Sequence, residues 1–171
     1  MIEWIKQLDK LELVVISMEL ATERCLIRDM KMKDADDLYQ VLSDASVMMY
    51  IEQVFDMERT RYFIQSAGLC EPPLVYAIVW KITGEVIGHS IFHSFEKNDY
   101  EIGWVLNKKF WGLGIADEVT KELIKCARHL GVESCVIECD ERQNISKKIA
   151  IKNGFAYEGK SDNLERYRLV L

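Results

Sequence analysis

Six residues, Trp111, Gly112, Leu113, Gly114, Ile115 and Ala116, lie between a strand-like run at 100–106 and a helix-like run ending at Leu130. A strand that turns through two glycines straight into a helix leaves few architectures open. Gly112 and Gly114 lack the Cβ atoms that would keep an anion off the backbone, and the helix offers unpaired N–H groups at the positive end of its dipole. All six residues are thereby candidates to hold a pyrophosphate through main chain. An ordinary turn uses glycines in the same way, so the flanking sequence has to separate the two readings. A dinucleotide fingerprint would need a third glycine where Asp117 stands, and a P-loop is expected nowhere in the chain.

The flanks carry more. A β-rich run at 134–139 leads into a second helix-like stretch, QNISKKIAIKNGFAYEG, at 143–159. The strand YEIGWVL, the loop FWGLGIA and this second helix with its Asn-Gly-Phe close together resemble the GNAT superfamily of acetyl-CoA-dependent N-acetyltransferases, in particular its RimJ/RimL type. TERCLIR from Thr22, KDADDLYQVLSD from Lys33 and GEVIGHSIF from Gly84 match, in order, that family's first strand, first helix and third strand. The resemblance spans about residues 20–171. Residues 1–19 precede it as an N-terminal extension, with Met1, Trp4, Ile5, Leu8 and Leu11 at helical spacing before an apolar run at 13–16. Glu3, Asp9 and Glu12 interrupt that extension, and its apolar run is far below the ~18 residues of a membrane span, so a packing element is expected, with a dimer contact as the alternative.

A chain of 171 residues suits one domain. The net charge of −6 is unevenly spread: residues 104–155 hold nine Lys/Arg against seven Asp/Glu, so the acidity lies elsewhere. That disfavours nucleic acid and suits a cationic acceptor. Lys108, Lys109, Arg142, Lys147 and Lys148 are candidates to meet phosphates, or are plain surface charges. Cys135 and Cys139 share a strand face roughly 13 Å apart, too far for a disulfide, and reduced thiols in a cytoplasmic protein are expected. His89, His93 and His129 are too scattered for a metal site, although His89 and His93 share a strand face, and no metal is expected.

Apolar patterning predicts strands at 24–28, 74–81, 86–95, 100–106, 134–139, 156–160 and 166–171, and helices at 33–43, 57–67, 114–130 and 145–153. Hairpin-like turns at Thr83-Gly84 and Lys97-Asn98 make the middle antiparallel, while a helix between the fourth and fifth strands permits a parallel pair. The expected fold is α/β (α+β): a mixed, mostly antiparallel, about seven-stranded sheet flanked by about four helices. The resemblance adds that the central parallel strands splay apart and admit the pantetheine.

Acetyl transfer from a thioester to an amine needs a neutral amine, a polarised carbonyl and a proton for the thiolate. The resemblance implies a backbone N–H near Trp104, Val105 or Leu106 for the carbonyl and Glu101 as the base acting through water; a solvent-facing or ion-paired Glu101 is the alternative. The tyrosine many relatives use as acid is replaced by Ala150, and the RimJ/RimL-like pattern offers Ser146 instead, a residue that serves equally as a helix cap. The family's cofactor-contacting asparagine is replaced by Gln143, with Asn144 one place on. Asp117 is expected to turn its carboxylate away from the loop mouth. The acceptor, a protein N-terminus or a small-molecule amine, is expected among 46–56 and 161–165, where Tyr50, Glu52, Asp56 and Asp162 suit a cation. The implied activity is direct acetyl transfer from acetyl-CoA in a ternary complex, in a homodimer by resemblance; a non-catalytic acyl-CoA sensor on the same fold is the alternative.

Overall fold

The structure is a computed structural model that describes residues 18–171. The helical pattern expected in the N-terminal extension lies outside these residues. The chain runs β1 (Glu19–Ala21), β2 (Cys25–Arg28), a 3-10 turn, α1 (Ala35–Leu42), α2 (Ala45–Met48), α3 (Met57–Phe63), β3 (Val75–Trp80), β4 (Val86–Ser94), β5 (Asp99–Leu106), α4 (Ile115–His129), β6 (Ser134–Asp140), α5 (Asn144–Lys152), β7 (Ala156–Ser161) and β8 (Leu164–Val170). One sheet carries all eight strands in the order β1-β2-β3-β4-β5-β6-β8-β7. Every neighbouring pair is antiparallel except β5 and β6.

Two differences from the expected fold have local causes. Strand β1 was not anticipated because ELA is too short to show a period; it forms because Thr22 closes a tight hairpin, exchanging hydrogen bonds with Cys25 through its backbone and its hydroxyl. The short helix α2 begins where the Asp44 carboxylate accepts the Ser46 N–H at 2.7 Å, a side-chain cap on a four-residue element with no apolar period of its own.

The sheet separates two cores. On one face α4 buries Ile115, Val119, Leu123 and Ala127, the stripe its 3.6-residue period dictates, against Cys135, Ile137 and Cys139 of β6 and Ile102 of β5. On the other face α1 buries Leu38, Val41 and Leu42 against Val75, Ala77 and Val79 of β3. Removing a side chain such as Leu123, fully enclosed, costs ~2–5 kcal/mol.

What positions the site is the uneven strength of the ladders. β4 and β5 pair from Gly88 and Leu106 to Ser94 and Tyr100, and so closely that a Cβ on Gly88 would lie 2.0 Å from the Val105 carbonyl oxygen. β6 and β8 pair along the whole of β6. Between them, β5 and β6 meet only at Asp99 with Ser134, Tyr100 with Cys135 and Glu101 with Val136. Past Glu101 each strand follows its other neighbour, and the sheet opens as a wedge.

Candidate active site

The wedge is a cleft lined from β5 by Glu101, Gly103 and Trp104, from β6 by Glu138 and Asp140, from α5 by Ser146, and at its mouth by Tyr50 and Ile51. Its floor exposes backbone. The Asn107 N–H bonds to the Ile87 carbonyl at 2.7 Å, which assigns the odd-numbered residues of β5 to the β4 ladder. The N–H of Ile102 completes the last bridge, Glu101 with Val136, while those of Trp104 and Leu106 point into the wedge beyond it, and that of Val105 is directed at β4. Of the three backbone donors considered in the sequence, Trp104 and Leu106 have the required orientation and Val105 does not.

At the far end of β5 the chain turns through Lys108–Phe110 into the glycine loop. Trp111 is 47% exposed, so it is not a core aromatic; its indole N–H donates to the Leu106 carbonyl at 2.9 Å and ties off the open edge of β5. Gly112 and Gly114 have φ of 73° and 80°, left-handed values that favour glycine, and a Cβ on Gly112 would meet nothing within 4 Å. Glu118 is the first N–H of α4 to find a partner, at the Gly114 carbonyl. The backbone donors of 113–117, and so those of Leu113, Gly114, Ile115 and Ala116, are unpaired among the described residues. This is a concave row of N–H groups at a helix N-terminus, and a pyrophosphate fits it in both charge and donor set.

Neighbouring charges hold the row in place without occupying it. Arg24 grips Glu118 through its backbone N–H at 2.7 Å and its guanidinium at 2.8 Å, and donates to the Leu113 carbonyl at 2.9 Å. Asp117 turns away from the loop mouth, accepting from Lys121 at 2.9 Å and from Lys152 and Asn153 at 2.8 Å. Partial burial pushes the Asp117 carboxyl up, but these three donors outweigh it and hold the pKa at about 2. It stays ionised, yet its charge is answered.

On the opposite wall Gln143 closes the β6–α5 turn, its side-chain oxygen accepting the Asp140 N–H and its own N–H donating to the Asp140 carbonyl, both at 2.9 Å. Asn144 is exposed as the first residue of α5. Ser146 is not the cap of that helix: it lies inside the first turn and lines the cleft, and its hydroxyl has no protein partner among the described residues. Two of the cations considered for phosphate are otherwise engaged, Arg142 by Asp140 at 2.8 Å and Lys147 by Glu165 at 3.3 Å. Lys108, Lys109 and Lys148 are exposed.

Among the acceptor residues, Tyr50 lines the mouth, and the Arg142 guanidinium stacks 4.8 Å from its ring centroid. Glu52 lies outside the lining and pairs with Arg59; Asp56 is spent capping α3, and Asp162 sits exposed in the β7–β8 turn. The carboxylates that do line the cleft are Glu101, Glu138 and Asp140. Arg166 binds Glu138 at 2.8 Å, and Arg142 holds the Asp140 carboxyl well below the usual carboxylate range. Glu101 instead meets a histidine, His93 of β4, at 3.3 Å. Sequence reasoning weighed His93 only as a metal ligand beside His89. The Lys97-Asn98 turn read from sequence misses the pairing by one residue, since a two-residue turn there sets 93 opposite 102; the turn is in fact centred on Lys97, at a φ of 48°, which sets 93 opposite 101. His89 instead packs its ring 5.1 Å from Phe63, and burial drives its pKa down to about 4.

Two further readings are narrowed. Burial raises the Cys135 and Cys139 thiols to about 12 and about 11, which leaves them poor nucleophiles. Contrary to the expectation that P-loop spacing is absent from the chain, it occurs at 154–161 as GFAYEGKS, but it runs from the end of α5 into β7, so no helix N-terminus follows it to receive a phosphate. Among the described residues no helix is long and apolar enough to cross a membrane.

Comparison with known proteins agrees with this geometry. The model of the acetyltransferase (GNAT) domain matches residues 24–156. An uncharacterized N-acetyltransferase of Bacillus subtilis (strain 168), YnaD, is 28% identical over 145 residues, covering 83% of this chain and 85% of its own. The crystal structure of a GNAT-family acetyltransferase from Bacillus anthracis superposes with a TM-score of 0.82 at 26% identity, over 90% of this chain and 98% of that one. The RimL ribosomal L7/L12 alpha-N-protein acetyltransferase shares the fold with a TM-score of 0.77 at 19% identity, over 91% of this chain and 96% of that one. A wedge between two parallel strands, a helix N-terminus with free backbone donors and a family match over most of the chain lead to one conclusion: this protein belongs to the GNAT acetyltransferases and is an acetyl-CoA-dependent N-acetyltransferase.

Proposed function

We propose that the protein transfers acetyl from acetyl-CoA to a primary amine, of a protein N-terminus or a small molecule, by direct attack with both substrates bound. The observation that carries this reading is that three unlike groups line one opening: Glu101, Ser146 and the backbone of Trp104, whose N–H lies beyond the last bridge to β6. The RimL structure solved in complex with coenzyme A shares this fold. Acetyl-CoA supplies an activated acyl group as its thioester. The backbone donors of 113–117 would hold its pyrophosphate, and the wedge would take the chain that carries the sulfur.

Each protein group then has one task. Glu101 takes a proton from the incoming ammonium, directly or through one water, because only the neutral amine has a lone pair with which to attack. The N–H of Trp104 or Leu106 donates to the carbonyl oxygen as negative charge grows there; it costs no reorganisation because the ladder has already released it. Ser146, on the β6 side, supplies a hydrogen bond or a proton to the departing sulfur. Tyr50 and Ile51 border the acceptor's entry.

The test is Glu101→Gln with trialanine, spermidine and benzylamine as acceptors. The expected result is a fall in kcat of about 100-fold or more, the scale of general-base catalysis, with acetyl-CoA affinity unchanged. Wild-type kcat at every pH in this variant would refute Glu101 as the base.

A further inference from the structure

Glu101 is one half of a pair. In the β4–β5 register His93 lies directly across from it, and the His93 Nε2 is 3.3 Å from the Glu101 Oε2. The other ring nitrogen, Nδ1, is 2.9 Å from the carbonyl oxygen of Ser94. A carbonyl can only accept, so Nδ1 carries the hydrogen in the neutral ring. The neutral ring then presents a bare lone pair at Nε2 to a carboxylate oxygen, and two acceptors do not attract. The contact holds only with a proton between them.

We infer that Glu101 and His93 form a single proton-accepting device, in which His93 is a positioning residue that acts through Glu101 by storing the proton Glu101 removes. The inference rests on Glu101 being the base. In the step, an N–H bond of the acceptor ammonium breaks, its electron pair stays on nitrogen, and the proton passes through Glu101 to the His93 Nε2. Ammonium and imidazole become amine and imidazolium, with charge conserved. His93 keeps 23% of its side chain exposed against 20% for Glu101, which gives the stored proton a way out to solvent between turnovers.

The surroundings leave this pair to itself. From β6, Glu138 faces the same side but is held by Arg166 of β8, which also reaches Glu96 at 3.5 Å. Further along β5, Asp99 is taken by Arg168 and by the Ser134 hydroxyl. Asp140 is bound by Arg142. From β3 the one titratable side chain is Tyr76, which stacks with Phe92 on the opposite face. The hydrogen bond to Glu101 raises the His93 pKa above its ordinary 6.5, against the opposing effect of burial. The pair is filled and idle below that pKa and ready to accept above it.

The test needs no knowledge of the acceptor. Ring-proton NMR titration of the three histidines should show His93 titrating above 6.5 in the wild type and at lower pH in Glu101→Gln. Thiol release from acetyl-CoA with water as acceptor should rise with pH through that same midpoint. In His93→Gln, which can still donate a hydrogen bond but cannot titrate, the rate should be flat from about pH 6 to 9 and roughly 10- to 100-fold lower at its upper end, the lower part of what acid–base groups contribute. Melting temperature and acetyl-CoA affinity should match the wild type. A His93 titration indifferent to Glu101→Gln, or a wild-type pH limb in His93→Gln while Glu101→Gln is inactive, would overturn the pair and leave Glu101 as a lone base. A fully active Glu101→Gln would instead overturn the base assignment itself.

Discussion

The two ends of the cleft are built from different materials. At the cofactor end the groups that would meet a ligand are backbone N–H donors, and the surrounding side chains, Arg24, Glu118, Asp117 and Trp111, are engaged in fixing that backbone. At the acceptor end the groups are side chains from separate elements: Glu101 and His93 from the sheet, Tyr50 from the α2–α3 connection, Ser146 from α5. A backbone site suits a co-substrate that never changes. A side-chain site can be altered residue by residue without disturbing the loop, which is the division expected of one scaffold serving many acceptors.

Substitutions at the two ends should therefore fail in different ways. The largest effect is expected at the chemistry: Glu101→Gln loses kcat by about 100-fold or more while calorimetry finds the same acetyl-CoA Kd. Next, Gly112→Val should raise the acetyl-CoA Kd at least ~10-fold and lower stability by about 1–2 kcal/mol, because a branched Cβ is placed at a φ of 73° over the open row of donors. Equal damage to both constants in either variant would break the division. Tyr50→Ala should raise the acceptor KM several-fold with acetyl-CoA KM unchanged, and lower the melting temperature only slightly with loss of the exposed Arg142 stack.

The smallest effect belongs to pH. Asp117 has a folded pKa of about 2, depressed from 3.8, so its contribution is complete above the unfolded value and is lost as pH falls through the folded one. The melting-temperature gap between wild type and Asp117→Asn should be constant above about pH 4 and close as pH approaches 2. A gap that persists at pH 2 would mean that the ties to Lys121, Lys152 and Asn153 do not act through charge.

The same contrast explains what could be read from the sequence. The cofactor end is local: glycines, strand and helix follow one another, and left-handed turns and helix starts have residue signatures, so Trp111 to Ala116 could be singled out directly. The main strands were equally visible from their apolar runs. The acceptor end is assembled by register across the sheet. Glu101 stood out through its place in the strand before the loop, but its partner His93 depended on reading a hairpin, and Glu52 looked available because nothing in sequence reveals that Arg59 reaches back to it. Ser146 is ambiguous in sequence for a related reason, since capping and cleft-lining serines differ only in where the helix begins, and here the cap is Gln143, three residues earlier.

The most direct test of the division is the thermal shift produced by acetyl-CoA at ~100 Kd in the wild type, Glu101→Gln and Gly112→Val, all at the wild-type saturating concentration. Wild type and Glu101→Gln should gain the same ~2.7 kcal/mol, a rise of about 5 °C or more for a domain of this size, and Gly112→Val should lose most of it. A full shift in Gly112→Val, or a shift abolished by Glu101→Gln, would contradict a cofactor site made of backbone and a chemical site made of side chains.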